Sequence, residues 1–374
     1  MKFKVNKDVM LEGCQKVQSI VGTRTTLPIL SNVQLTAEDD TVFLSTTDLE
    51  VSVRTSVDAK VSRAGATTLP ARRLFSIFRE LSSSDIEVDV NDKNVATIKS
   101  GASLFKVIGI SADEFPPLPK FQGGRSYTLD QGVFREMLRS TGYAASTDET
   151  RYVLNGVLLS FKDDKLKAVA TDGRRLALIE QEVEFPKESE AELVIPSKTV
   201  DELCKTLGDE GPLKIQATDN QVAFEFSAQS GDSGETGDML VVSKLIEGSY
   251  PNFQQVIPSS CEERVAIDRE SLLTAVKRVA LMTSDKGNSV KMSLSKNSIQ
   301  VSATTPEVGE ALESIPVKYN GKDIAVAFNP EFITAPLKTI SSDEVYFELT
   351  DELSPGVLKC DTLFLYVLMP MRMS

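Results

Sequence analysis

The sequence predicts an α+β protein made of three similar domains, each with two helices and two sets of mostly antiparallel strands. Three observations predict it. A short strand, an amphipathic helix and a polar loop recur in that order three times. Roughly halfway through each copy a second helix follows, introduced by a strand and a proline. The copies are spaced on the order of 125 to 135 residues, an ordinary domain length.

The first copy opens with Phe3-Lys4-Val5, a helix over 8–21 and the loop 22–26. The second has Ser126-Tyr127-Thr128-Leu129, a helix over 130–143 and the loop 146–150. The third has Arg264-Val265-Ala266-Ile267, a helix over 268–282 and the loop 283–287. Apolar stripes at helical spacing mark each buried face: Met10, Cys14, Val17 and Val21; Phe134, Met137, Leu138 and Thr141; Leu272, Val276 and Val279. Asp130 and Asp268 stand where an N-cap carboxylate would satisfy the first free amide protons. The second helices begin at Leu69-Pro70-Ala71, Ile195-Pro196-Ser197 and Asn329-Pro330-Glu331, with each proline expected in the first turn, where no amide proton is needed. Each leads into an alternating strand: Ile86, Val88 and Val90; Leu213 and Ile215; Val345, Phe347 and Leu349. Pro/Gly-rich joints at 115–124 and 248–258 separate domains at 1–122, 126–250 and 259–374.

The bulk numbers bound the function. A chain of 374 residues, 41% hydrophobic and 25% charged, has a globular balance. The charged start, Met1 to Asp8, leaves no room for a signal peptide's apolar run, and no stretch reaches the ~18 apolar residues of a membrane span. Cys14, Cys204, Cys261 and Cys360 form no CxxC pair, which fits reduced thiols. A soluble cytoplasmic protein is expected. With no histidine, imidazole chemistry is unavailable. The net charge of −13 argues against indiscriminate coating of nucleic acid, but its distribution qualifies that. The six expected helices with their loops (7–24, 71–81, 130–145, 197–207, 268–286, 329–340) hold 15 Lys or Arg against 11 Asp or Glu. A basic helical face within an acidic shell would attract a phosphate backbone without reading bases; an ordinary solvated helix face explains the same count.

No active site is legible. Asp39-Asp40, Asp163-Asp164 and Glu262-Glu263 are adjacent acids in expected turns, where solvation is their usual role. There is no GxxxxGK[ST] or GxGxxG loop, and Ser230 to Gly237 reads as a Gly-rich hairpin without EF-hand spacing. No cofactor and no metal are expected. An enzyme on repeated domains is therefore the weakest reading.

Thr26-Leu27-Pro28-Ile29-Leu30-Ser31-Asn32, Thr47-Asp48-Leu49-Glu50, Arg151-Tyr152-Val153-Leu154-Asn155-Gly156, the run Ala170 to Ala177 and the ending Tyr366 to Arg372 resemble the bacterial beta sliding clamp, a subunit of DNA polymerase III. The resemblance spans the chain. It implies a DNA clamp fold closing as a head-to-tail homodimeric ring around double-stranded DNA, without sequence preference. The implied role is a non-catalytic processivity factor; a docking platform of the same fold, serving repair or resistance factors, is the alternative. Implied partners are the polymerase III alpha subunit, the clamp loader, and other polymerases and repair proteins carrying clamp-binding peptides. The matching peptide-cleft positions are Leu154, Thr171, Gly173, Arg174, Arg175, Leu176, Pro251, Gln255, Val256, Val367, Met369, Pro370, Met371 and Arg372. Arg174 and Gln255 stand where some relatives carry histidine and arginine. Implied DNA-facing residues are Arg24, Arg72, Arg79, Arg139, Tyr152, Lys198, Lys277 and Lys338. At the subunit interface the resemblance sets Phe105 and Val107 against Leu281 and Met282 of the other chain, with Arg73 and the acids Glu307, Glu310 and Glu313 adding ion pairs.

Overall fold

The structure, a computed structural model, describes every residue except 23–26, 83, 120, 122–123, 229–236, 285–287, 307 and 373–374. Among the described residues are six α-helices: α1 (Lys7–Gln18), α2 (Ala71–Glu80), α3 (Gln131–Thr141), α4 (Ser197–Thr206), α5 (Arg269–Val279) and α6 (Pro330–Thr339). All lie where the apolar stripes place them, though α1, α3 and α5 stop short of the expected ends. Short 3-10 turns at Gly142–Ala144 and Ala280–Met282 complete the second and third copies. The stripe residues of all three first helices are buried.

Capping follows the sequence reading in part. Asp268 Oδ1 accepts the Ser271 amide at 2.7 Å, and Asp130 Oδ1 accepts those of Gly132 and Val133. The prolines are a correction. Only Pro330 sits in the first turn of its helix; Pro70 and Pro196 end the strands Gly65–Pro70 and Ala191–Pro196, one residue outside α2 and α4. At the end of a strand, proline forgoes a ladder donor rather than a helical one.

Contacts divide the chain into two compact units, 1–135 with 198–245, and 136–197 with 246–374. Each contains one eight-stranded antiparallel sheet. In the first unit its order is Arg125–Asp130, Pro212–Ala217, Gln221–Ala228, Gly237–Lys244, Val51–Asp58, Thr41–Thr47, Asn32–Glu38, Gly65–Pro70. In the second it is Glu263–Asp268, Glu344–Leu349, Gly356–Lys359, Phe364–Leu368, Arg175–Glu182, Lys165–Thr171, Gly156–Lys162, Ala191–Pro196. The two orders match strand for strand. Each sheet joins strands of two successive sequence repeats, so the compact units cut through the central repeat.

A five-stranded sheet in the first unit ends on Ser103–Ile108, and a four-stranded sheet in the second ends on Gly309–Pro316. The acid pairs Asp39-Asp40 and Asp163-Asp164 make two-residue hairpin turns with φ between 46° and 57°, a left-handed conformation Asp tolerates. Glu262-Glu263 is not such a turn: Glu263 opens a strand and accepts the Tyr319 hydroxyl at 2.9 Å, while Glu262 pairs with Lys322. The segment 230–236 lies outside the described residues.

Candidate functional site

In the second unit, strand Arg175–Glu182 pairs with Phe364–Leu368 so that Leu176 faces Val367 and Leu178 faces Leu365. Leu158, Val169, Leu176, Leu178, Val194 and Val367 form one buried apolar cluster, and Ile246, Tyr250, Phe253 and Ile257 of the following segment pack against it. In the segments adjoining this cluster, Val256 is 47% exposed, Met369 40% and Met371 38%. Pro251, Gln255 and Arg174 are exposed beside them, and Pro370 is half-buried. Exposed apolar side chains next to a buried apolar cluster can serve as a slot for a partner's side chains, and methionine would let it adapt.

The slot is framed by one tightly bonded turn. Thr171 Oγ1 donates to the Arg175 carbonyl at 2.6 Å and accepts the Gly173 amide. Asp172 Oδ1 accepts the amides of Arg174 and Arg175, while its Oδ2 accepts Arg175 Nε at 3.0 Å. Gly173 has φ +83°, a left-handed conformation that favours glycine. The Met369 amide then bonds to the Arg174 carbonyl, and the Met371 amide to Ala327.

Four of the expected cleft residues are largely buried. The Arg175 guanidinium lies 4.5 Å from the centre of the Phe332 ring and is tied to Asp172, leaving its side chain 15% exposed. It anchors α6 to the turn. Leu176 and Val367 are almost fully buried and form the floor, and Leu154 is also buried. The sequence missed Asp172 and Phe332; the Thr-Asp-Gly run was the available signal for the first.

The first unit repeats this construction. Thr47 Oγ1 bonds to the Val51 carbonyl and the Leu49 amide, Asp48 Oδ1 accepts the amides of Glu50 and Val51, and the Lys244 amide bonds to the Glu50 carbonyl. Here Asp48 Oδ2 takes the ammonium of Lys198. Burial pushes the Asp48 carboxyl up, but Lys198 and the turn amides outweigh it and hold it below the usual range.

The other expected residues fall as follows. Arg24 and Glu307 lie outside the described residues. Arg72, Arg73, Arg139, Lys277 and Lys338 are exposed on their helices and form no ion pair with another described residue; Tyr152 is 57% exposed. Lys198 is bound to Asp48, and Arg79 pairs with Glu80. Val107 is a correction: at 5% exposure it belongs to the core, and the exposed apolar side chains of that edge strand are Leu104, Phe105 and Ile108. Leu281 is 77% exposed and Met282 half-buried, with Val308 and Leu312 exposed on the other edge. Glu313 pairs with Arg278 of its own chain, while Glu310 forms no ion pair with another described residue. Among the described residues no cluster of Cys, Asp or Glu is arranged to hold a metal, and no helix is long and apolar enough to cross a membrane.

Family profiles match the chain in order: the N-terminal domain of the DNA polymerase III beta subunit over residues 1–119, its central domain over 128–252 and its C-terminal domain over 254–372. The beta sliding clamp of Chlamydia muridarum is 35% identical over 373 residues, covering 100% of this chain and 99% of that one. The crystal structure of the Bacillus subtilis sliding clamp superposes with a TM-score of 0.92 at 28% identity, covering both chains fully. The Bartonella birtlesii sliding clamp, solved bound to griselimycin, gives 0.92 at 31% identity with the same coverage. The chain belongs to the DNA polymerase III beta subunit family, the beta sliding clamps.

Proposed function

We propose that the chain is a processivity clamp: a head-to-tail homodimeric ring that encircles duplex DNA and tethers polymerases through the slot around Leu176, Val367 and Met369. It acts in the cytoplasm and catalyses nothing itself. The observation that carries this reading is the ordered match of all three beta-subunit domains along one chain. We take the domains as 1–122, 126–250 and 259–374. Ring closure would add strand Ser103–Ile108 of one protomer to Gly309–Pro316 of its partner, since both are sheet edges with exposed apolar side chains. Leu104, Phe105 and Ile108 would then meet Leu281, Val308 and Leu312. Arg72, Arg139, Lys277 and Lys338 supply non-specific phosphate contacts, supported by Arg79, Lys198 and Tyr152, and by Arg24 on the resemblance alone. The polymerase III alpha subunit, the clamp loader, and other polymerases and repair proteins dock by short apolar peptides.

The test is retention on nicked circular DNA after loading by the cognate loader and ATP. Rings should stay on the circle in high salt, where phosphate contacts are screened, and leave once the DNA is linearised. Equal loss from circle and linear DNA at moderate salt would sink encirclement and leave a docking platform. Removing 369–374 should abolish peptide binding and spare the dimer; normal peptide binding by the truncated chain would refute the slot.

A further inference from the structure

We propose that the solvent-facing side of the first unit's eight-stranded sheet holds a binding site for small aromatic carboxylates. The register builds it from two rows of side chains. Ser45, Arg54, Leu240, Glu225 and Lys214 are successive partners across five strands, so all share one face. One pleat further along, Phe43 partners Ser56 and Ser227 partners Asp238 on that same face. The intervening Thr55, Phe226 and Met239 are buried, which puts both rows on the solvent side. Serine at 56 and 227 leaves a depression between its larger neighbours. A cavity of about 450 Å³ opens there, with Phe43 and Arg54 at one end and Pro212 and Lys214 at the other. That size suits a small molecule.

The charges lining the cavity are unequally used. Lys214 pairs with Glu225 at 3.5 Å, and Asp238 accepts the Ser227 hydroxyl at 3.3 Å. The Arg54 guanidinium lies 4.0 Å from the centre of the Phe43 ring and forms no ion pair or hydrogen bond with another described residue. The ring covers one side of the cation and takes none of its N–H donors, so a carboxylate can accept two of them in the plane of the fork. Phe43, Leu240 and Pro212 supply apolar contact for the ring that carries that carboxylate. Asp238 lies two strands from Phe43 and is turned to Ser227, so it favours a hydroxyl or amino group at the ligand's far end.

The second unit shows what closes such a site. There Lys167 partners Glu180 where the first unit has Phe43 and Ser56, and Leu178 stands for Arg54. Lys167 and Lys165 both bind Glu180, at 3.2 and 3.3 Å. In the first unit a serine replaces that carboxylate while a cation remains beside it, and the anion is left for a ligand to supply.

The experiment uses the full-length protein, with 2-naphthoate and its neutral amide, 2-naphthamide, as probes. The chain has no tryptophan, so naphthalene fluorescence reports binding directly. Naphthoate should bind on the order of tenfold more tightly than the amide at low salt, the margin one charged hydrogen-bonded pair supplies. Arg54→Gln should erase that margin. Ser56→Glu, which restores the second unit's carboxylate, should abolish naphthoate binding; circular dichroism and melting check that both variants are folded. An excess of a decapeptide with a Leu/Phe core should not displace the probe. Equal binding of acid and amide, or no binding of either, would overturn the site. Naphthoate binding that survives both variants would overturn it too, and displacement by the peptide would place the probe in the slot instead.

Discussion

The two eight-stranded sheets share their strand order, their Thr-Asp turn and the amide that locks the neighbouring strand to that turn, yet the faces beside the turn differ. In the second unit the face carries Leu158, Val169, Leu176, Leu178, Val194 and Val367. By strand register the same places in the first unit hold Gln34, Ser45, Ser52, Arg54, Thr68 and Val242. Arg54 there lies over the Phe43 ring at 4.0 Å, and Thr47 and Ser52 bond to each other. One framework thus supports a polar face and an apolar slot. The hydrogen-bonded frame sets the geometry; five side chains on one sheet face decide whether a peptide has anywhere to bury its own.

Substitution at matched positions tests this separation, and the largest effect belongs to the floor. Leu176→Asp buries an unpaired charge and should cost about 3 kcal/mol or more, whereas Ser52→Asp should cost under about 1 kcal/mol. Thermal or urea unfolding measures both, and similar costs would dissolve the contrast. Next come the turns. Asp172→Asn loses the bond to a largely buried Arg175 and should cost about 1.5–3 kcal/mol with weaker peptide binding. Asp48→Asn faces a Lys198 side chain 45% exposed and should cost about 1 kcal/mol or less. The smallest effect is at the left-handed residue of each turn. Leu49 has φ +77°, so Leu49→Gly should stabilise by on the order of 0.5 kcal/mol once the entropy of glycine is set against relieved strain, while Gly173→Ala should destabilise.

A pH series sharpens the view of the first unit. Asp48, held low, contributes stability that is full above its ordinary 3.8 and lost as pH falls through its lower native value. Glu202 behaves oppositely. At 2% exposure it accepts the Ser19 hydroxyl at 2.6 Å, and burial raises its carboxyl. Its contribution is full below the ordinary 4.5 and lost as pH rises through the raised value, so Glu202→Gln should stabilise at pH 7 by about 1 kcal/mol and give no gain below 4.5. A gain that is constant with pH would show that Glu202 is not titrating.

Much of this was legible because the signals are local. The stripes Met10-Cys14-Val17 and Leu272-Val276-Val279 needed only a helical period. What failed needed tertiary information. Proline chemistry allows both a strand's last residue and a helix's first turn, and only the sheet decided for Pro70 and Pro196. Ser103 to Ile108 has no clean alternation, so nothing in it ranked Val107 below Ile108 for exposure. The polar fate of Arg175 depends on Phe332, far away in sequence. The resemblance named the cleft positions; the register explains why Leu176 and Val367 are buried together.

The strand Phe364–Leu368 has a consequence for how the protein is made. It lies between Arg175–Glu182 and Gly356–Lys359, in the middle of its sheet rather than at an edge. During synthesis that place stays empty until residues 364–368 have left the ribosome, so the apolar floor has no Val367 and the Arg174 carbonyl no amide to receive. Loss of residues 364–368 would therefore leave Arg175–Glu182 and Gly356–Lys359 each with an unpaired edge in the middle of the sheet.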